Sequence, residues 1–338
     1  MLINKPRRSF IKITTLAGIG VGIGVNGYSV NTAQSLEMRQ QQRIGIIGLD
    51  TSHSIEFTRI LNAPDPKPDL AGYRVVAAYP WGSRDIASGF SRIPRYIEEV
   101  KIFGVKIVDS ITDLLTEVDV VLLETNDGRL HLEQALQVFK AGKPVFIDKP
   151  VAASLSDVIA IYKAADQYKV PLFSSSSVRY IQNVQDIRHG KSIGNVIGAN
   201  TYSPAHIEPS HPDLYWYGIH GVELLFTVMG TGCKSVVRTC TDDTDMVIGV
   251  WEDGRVGCFR GGRTGNIGIG GTAFGDLGNK YLGPFESYRA LMVKIIEFFR
   301  TGKAPVKSEE TLEIYAFMQA AEESKRLGGT RVLLESVF

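Results

Sequence analysis

Cysteine is scarce in this chain: three residues in 338, Cys233, Cys240 and Cys258, all in the second half. An odd, sparse set at strand-like positions builds neither a disulfide framework nor a cysteine-rich metal site, so these residues read as small buried hydrophobes. Excess charge of either sign is also missing, since 37 Lys and Arg face 36 Asp and Glu for a formal net charge of +1. There is no long basic run beyond residue 12. A surface for nucleic acid or anionic lipid needs clustered Lys and Arg, so neither partner is expected. No apolar run approaches the roughly 20 residues that a membrane-spanning helix needs. Internal repeats and low-complexity tracts are lacking. The chain that remains is 44% hydrophobic, long enough for two domains of about 100–200 residues each.

The N-terminus stands apart. Lys5-Pro6-Arg7-Arg8-Ser9-Phe10-Ile11-Lys12 precedes a weakly apolar, glycine-rich stretch from Ile13 to Val25. Paired arginines, a phenylalanine two residues on and a trailing lysine resemble a twin-arginine export signal. The resemblance implies a periplasmic or otherwise exported protein. No cysteine follows the apolar stretch, so a lipid anchor is not indicated. Residues 1–41 are set aside as signal and linker.

From residue 43 the pattern alternates. Short apolar runs at 43–48, 73–79, 105–108, 118–123, 145–147 and 170–174 read as strands. Helical spacing falls between them, over 54–61, 130–141 and 155–168. Near-continuous apolar strands separated by amphipathic helices imply a parallel sheet covered on both faces, with ligands beyond the strand C-termini at the switch point. After residue 175 the order changes. Strands are expected at 195–202, 234–239, 245–251 and 255–260, with another at 272–275, and helices at 216–229, 286–301 and 309–327. Strands clustered between helices indicate an α+β domain with one open sheet. The expected units are 42–175 and 176–338, with the C-terminal helices free to return to the first.

Three segments carry a resemblance to a known family: the first strand and turn at Gly48, the run Ala141-Gly142-Lys143-Pro144-Val145-Phe146-Ile147-Asp148-Lys149-Pro150, and the helix start Gly218-Ile219-His220-Gly221. Over about residues 43–335 the chain resembles the Gfo/Idh/MocA oxidoreductases, sugar and polyol dehydrogenases that use NAD or NADP. The middle run matches their Ala-Gly-Lys-x-Val-x-x-Glu-Lys-Pro signature, with Asp148 for Glu. The resemblance implies an α/β fold: an N-terminal Rossmann doubly wound parallel sheet, then a C-terminal α+β domain with an open, mainly antiparallel sheet that forms homo-oligomers.

The phosphate-binding turn departs from that pattern. A dinucleotide site ordinarily wants G-x-G-x-x-G, and here Gly48-Leu49-Asp50-Thr51-Ser52-His53 keeps only the first glycine. Asp50 puts a carboxylate where phosphate is expected, unless it turns away. Thr51, Ser52 and His53 remain as donors at a helix N-terminus. Two readings stay open: a retained dinucleotide site, or a helix cap with no dinucleotide. At the second strand's end, Ser83 and Arg84 replace the usual acidic ribose ligand and suit a 2′-phosphate, so NAD and NADP are equally expected.

The resemblance also assigns chemistry. Lys149 matches the family lysine beside the nicotinamide, where a cation stabilises alkoxide character. His220 matches the family general acid–base histidine. Its flanking aspartates are replaced by Trp216 and Glu223. Arg179, Glu124, Asn126 and Asp148 are expected near the cofactor. Tyr202, His206, Trp216, His220 and Glu223 are expected around the substrate. His131 is expected to cap or pack its helix. No metal site is expected: the cluster His206, Glu208, His211 and Asp213 is assigned to hydroxyl recognition, with Zn or Mn as the weaker alternative. Some family members are redox-neutral NAD-dependent glycosidases, and an exported enzyme that cannot recycle free cofactor suits such chemistry. The competing expectation is a carbohydrate-binding protein that has lost its cofactor.

Overall fold

The computed structural model describes residues 42–338, so the twin-arginine-like segment lies outside the described residues. The first sheet holds β1 (Arg43–Ile47), β2 (Arg74–Tyr79), β3 (Lys106–Ile107), β4 (Val120–Leu123), β5 (Val145–Ile147) and β6 (Leu172–Phe173), parallel throughout in the order β3-β2-β1-β4-β5-β6. The crossovers are α1 (Ser52–Leu61), the pair α2 (Ala87–Phe90) and α3 (Ile93–Ile102), α4 (Ile111–Glu117), α5 (His131–Lys140) and α6 (Leu155–Tyr168). Strand order reverses between β1 and β4, which opens a crevice beyond their C-terminal ends.

Both faces of this sheet are covered, which is why its strands lack alternation. Ile44 and Ile46 of β1 and Phe146 of β5 pack with Phe57 of α1 and Val100 of α3. Ile47, Val121 and Ile147 point the other way and pack with helices α4, α5 and α6. Polar caps define the helix starts. The Thr51 hydroxyl accepts from the His53 N–H, Ser110 from Asp113, and Ser154 from Asp157. The α2–α3 pair is an addition to the expected elements: α2 is a single turn with Gly and Ser, whereas Ile93, Tyr96, Ile97 and Val100 of α3 do follow helical spacing.

The second sheet begins after α7 (Gln182–Arg188). It contains β7 (Val196–Pro204), β8 (Cys233–Cys240), β9 (Thr244–Trp251), β10 (Val256–Gly262), β11 (Gly270–Gly275), β12 (Gly278–Leu282) and β13 (Val332–Leu333), in the order β12-β11-β7-β10-β9-β8-β13. Every pairing is antiparallel except β7 with β10. Helices α8 (Ile219–Met229), α9 (Arg289–Thr301) and α10 (Ser308–Arg326) complete the chain. Here alternation returns: in β9, Asp245, Val247, Gly249 and Trp251 are buried and Ile248 is exposed. Helices α8 and α10 cover the inner face, and α9 returns to the first sheet through Leu291, Ile295 and Phe298. The opposite face of the second sheet leaves Ile197, Ile248, Val256 and Tyr281 exposed. All three cysteines are free, and Cys233 is buried.

A tight approach seats α8 on the sheet. A Cβ added at Gly221 would stand 2.9 Å from Ser203 Oγ and overlap the fully buried Phe259 ring. Gly221→Ala is expected to destabilise the protein by about 1–3 kcal/mol, even though alanine favours a helix by roughly 1 kcal/mol. Denaturant unfolding measures it, and an unchanged or raised midpoint would refute this packing.

Candidate active site

The turn after β1 sets the geometry. Gly48 has φ of 93°, and a Cβ there would lie 2.5 Å from the Thr125 backbone nitrogen. Only glycine meets both conditions, so the first motif glycine is retained for a local reason. Asp50 follows, and its carboxylate does turn away. It is buried against Gly82, and its Oδ1 accepts the Asn126 N–H at 3.0 Å. Burial pushes the Asp50 carboxyl up to about 6. Thr51, Ser52 and His53 then start α1 facing the crevice.

The crevice is a cleft of about 380 Å³. Thr51, Ser52, His53, Asn126 and Lys149 come to it from the ends of parallel strands, and His206, Trp216, Tyr217 and His220 from the second part of the chain. Lys149 and His220, 71 residues apart in sequence, thus both line it. The Tyr217 ring stacks edge-on against both His220 and His206, at 5.2 and 5.5 Å, and lies 5.8 Å from Lys149 Nζ. A π-helical turn, Leu214–Gly218, leads into α8 and carries Trp216 and Tyr217.

His220 is held from behind. Its Nδ1 lies 2.7 Å from Ser176 Oγ, and Ser176 donates its backbone N–H to Glu223 at 2.8 Å. Burial, and then the Lys149 charge, holds the imidazole well below its usual range. It is therefore neutral at neutral pH and free to accept a proton.

Several expected site residues are placed elsewhere. Glu223 does not face a substrate: its carboxylate accepts from Arg179 Nε at 2.8 Å and from Ser175 Oγ at 2.7 Å, fully enclosed. Arg179 is equally enclosed, also paired with Glu310 at 2.6 Å, so it is a structural tie and not a cofactor ligand. Ser83 is bonded to Asp85 and Arg129, and Arg84 points to solvent, so neither lines the cleft. Tyr202 pairs with the Tyr281 hydroxyl at 3.2 Å on the second sheet, outside the cleft. Glu124 and Asp148 lie beneath the cleft floor and do not line it. The His206 cluster disperses. His211 Nε2 accepts the Gly128 N–H at 3.2 Å, Asp213 pairs with Arg238 at 2.7 Å, and Glu208 accepts from Ser210. His131 is a tie between loops, its two ring nitrogens facing the Thr125 and Val151 carbonyls.

The sequence reading missed other cleft residues: Ser88 and Arg92 from the α2–α3 segment, and Phe285 and Tyr288 from the loop before α9. Tyr288 packs its edge on His53 at 4.7 Å. No motif marks these positions, and only the three-dimensional return of α9 brings the last two to the site.

Known proteins agree with this architecture. A probable dehydrogenase from Thermotoga maritima superposes with a TM-score of 0.72 at 20% identity, covering 88% of this chain and 100% of that one. Scyllo-inositol dehydrogenase from Lactobacillus casei, solved with NAD(H) and scyllo-inositol, gives 0.69 at 17% identity, with 88% and 100% covered. At these identities the likeness concerns the fold. No curated protein matches the sequence. Residues 42–176 match the model of the oxidoreductase family with an NAD-binding Rossmann fold. The match covers the first sheet and its helices, so that part of the chain is similar to the NAD-binding domain of the Gfo/Idh/MocA oxidoreductases.

Proposed function

We propose that this protein is an exported NAD(P)-dependent oxidoreductase acting on a secondary hydroxyl of a sugar or polyol. The observation that carries the reading is the convergence of Lys149 and His220 on one cleft at the β1/β4 switch point. The inositol dehydrogenase among the structural relatives supports the substrate class. The twin-arginine-like N-terminus supports export in folded form, which favours a retained cofactor and redox-neutral chemistry such as epimerisation or glycoside cleavage. The exposed apolar face of the second sheet supports a homo-oligomer.

The residues fit a dinucleotide at its nicotinamide end. Gly48 keeps the turn, Thr51 and Ser52 offer the α1 N-terminus to a phosphate, and Asn126 and Lys149 form the adjoining wall. At the adenosine end, Arg129 bridges the loops after β2 and β4, bonding Asp127 at 2.9 Å and Asp85 at 2.8 Å. That bridge and Asp50 favour the second reading, a binding protein without cofactor.

Bound NAD(P) supplies a hydride acceptor. The chain's own groups do the rest. Oxidising an alcohol removes a hydride from carbon and a proton from oxygen. Neutral His220 takes that proton, and Ser176 fixes the ring by holding Nδ1. Lys149 stabilises the charge building on the oxygen. Tyr217 and Trp216 wall the pocket with aromatic faces.

Mass spectrometry of small molecules released from the denatured, purified protein tests the choice. Stoichiometric NAD(H) or NADP(H) is expected. An empty protein with no thermal shift from either would establish the binding-protein reading. His220→Gln and Lys149→Met are each expected to lower kcat/KM about 10²–10⁴-fold while leaving the fold intact, and a smaller loss in steady-state kinetics would remove that residue from the chemistry.

Asp50 yields a pH-dependent expectation. Its folded-state pKa, about 6, lies above the ordinary value of 3.8, so its favourable contribution is present below the unfolded pKa and is lost as pH rises through about 6. Asp50→Asn keeps the acceptor for Asn126 and does not titrate. Its midpoint is expected to exceed that of the parent above pH 6, by up to about 3 kcal/mol of stability, and to converge with it at acid pH. Dinucleotide should also bind the variant more tightly. A variant less stable than the parent at pH 8 would show that the carboxylate form is favoured.

A further inference from the structure

The departures from the resembled pattern are not scattered. His53 stands where the third glycine is expected, Glu124 where a threonine is, and Asp148 where a glutamate is. They belong to α1 and to the segments just after β4 and β5, yet a ligand atom from each lies within 4.8 Å of the others. All three side chains are buried, and Glu124 has no exposed surface.

The polar balance of this cluster is incomplete. His53 Nδ1 and Asp148 Oδ2 are 2.7 Å apart. Both Glu124 oxygens and Asp148 Oδ1 have no hydrogen-bond partner. Lys149 Nζ, although its charge acts on both carboxyls, bonds neither. A buried carboxylate without a partner is strongly disfavoured, and native structures normally satisfy such groups.

We propose that His53, Glu124 and Asp148 bind a divalent first-row transition-metal cation beneath the cleft floor. Two carboxylates match its charge. One imidazole with two carboxylates is the donor set of Mn²⁺, Co²⁺ or Zn²⁺, whereas Mg²⁺ and Ca²⁺ prefer oxygen alone and Cu⁺ prefers sulfur. Bonds of about 2.0–2.2 Å set neighbouring ligand atoms roughly 3–3.5 Å apart, so the His53–Asp148 pair, now at 2.7 Å, opens and Glu124 draws in. The ion would stand under the N-terminus of α1, where it offsets acidic groups that an anionic ligand otherwise meets. The alternative occupant is a proton on Glu124, which leaves the cluster metal-free.

Elemental analysis of the full chain, purified without chelator, distinguishes the two. One ion per chain is expected. Dialysis against a chelator should lower the melting temperature, and Mn²⁺, Co²⁺ or Zn²⁺ alone should restore it. Glu124→Gln keeps the shape, removes the charge, and should abolish both the metal content and the restoration. Should Glu124→Gln not fold, His53→Gln carries the same test. A metal-free protein whose melting temperature none of the three ions changes would overturn the site, as would variants that retain the metal of the parent. The measurement needs no turnover, so its failure leaves the oxidoreductase reading standing, and an inactive but metal-loaded protein leaves this one standing.

Discussion

The contact on which the site depends most is the ion pair between Arg179 and Glu223. Arg179 follows the last strand of the parallel sheet, Glu223 lies on α8, and their atoms meet at 2.8 Å with almost no exposure. The same carboxylate orders Ser175 and Ser176, and Ser176 in turn holds the ring of His220. One buried charge therefore sets where α8 stands relative to the strand ends and how its histidine is turned. Removing a single partner from such a pair strands the other charge and costs about 3–5 kcal/mol. The geometry is thus specified by electrostatics that tolerate little movement.

Around this tie the cleft combines groups of contrasting environment. His220 is deprived of its proton by burial and by the neighbouring Lys149, while Asp50, three residues before His53, is driven toward its protonated form chiefly by burial, with the Asp127 charge acting in the same sense. The protein keeps a neutral base beside a cation in the cleft and a reluctant carboxylate under the first turn. Perturbed groups cluster at sites that handle protons, and of these two His220 lines the cleft while Asp50 lies behind its wall.

The parallel sheet was largely legible in the sequence. Unbroken apolar runs such as Ile44–Ile47 and Val120–Leu123 arise only where both faces are covered, and those runs are strands. Lys149 and His220 were legible because local motifs surround them. Arg179 and Glu223 were identified as notable, but their role was not. A charged residue looks the same in sequence whether it meets a ligand or another buried charge, and the difference rests on a contact 44 residues away. Arg92, Phe285 and Tyr288 left no trace at all. They reach the cleft through the junction between α2 and α3, and through a helix, α9, that returns to the first sheet from the far end of the chain.

The Arg129 bridge has a consequence for how anything long enters this crevice. Its inner arm, on Asp127, is buried, while its outer arm, on Asp85, is two-thirds exposed. Dissolved ions reach the outer arm and weaken it, but they leave the inner one untouched. The bridge is therefore a clasp fixed at one side and loose at the other. The ionic strength of the surroundings would then help decide how firmly the loops after β2 and β4 are held together.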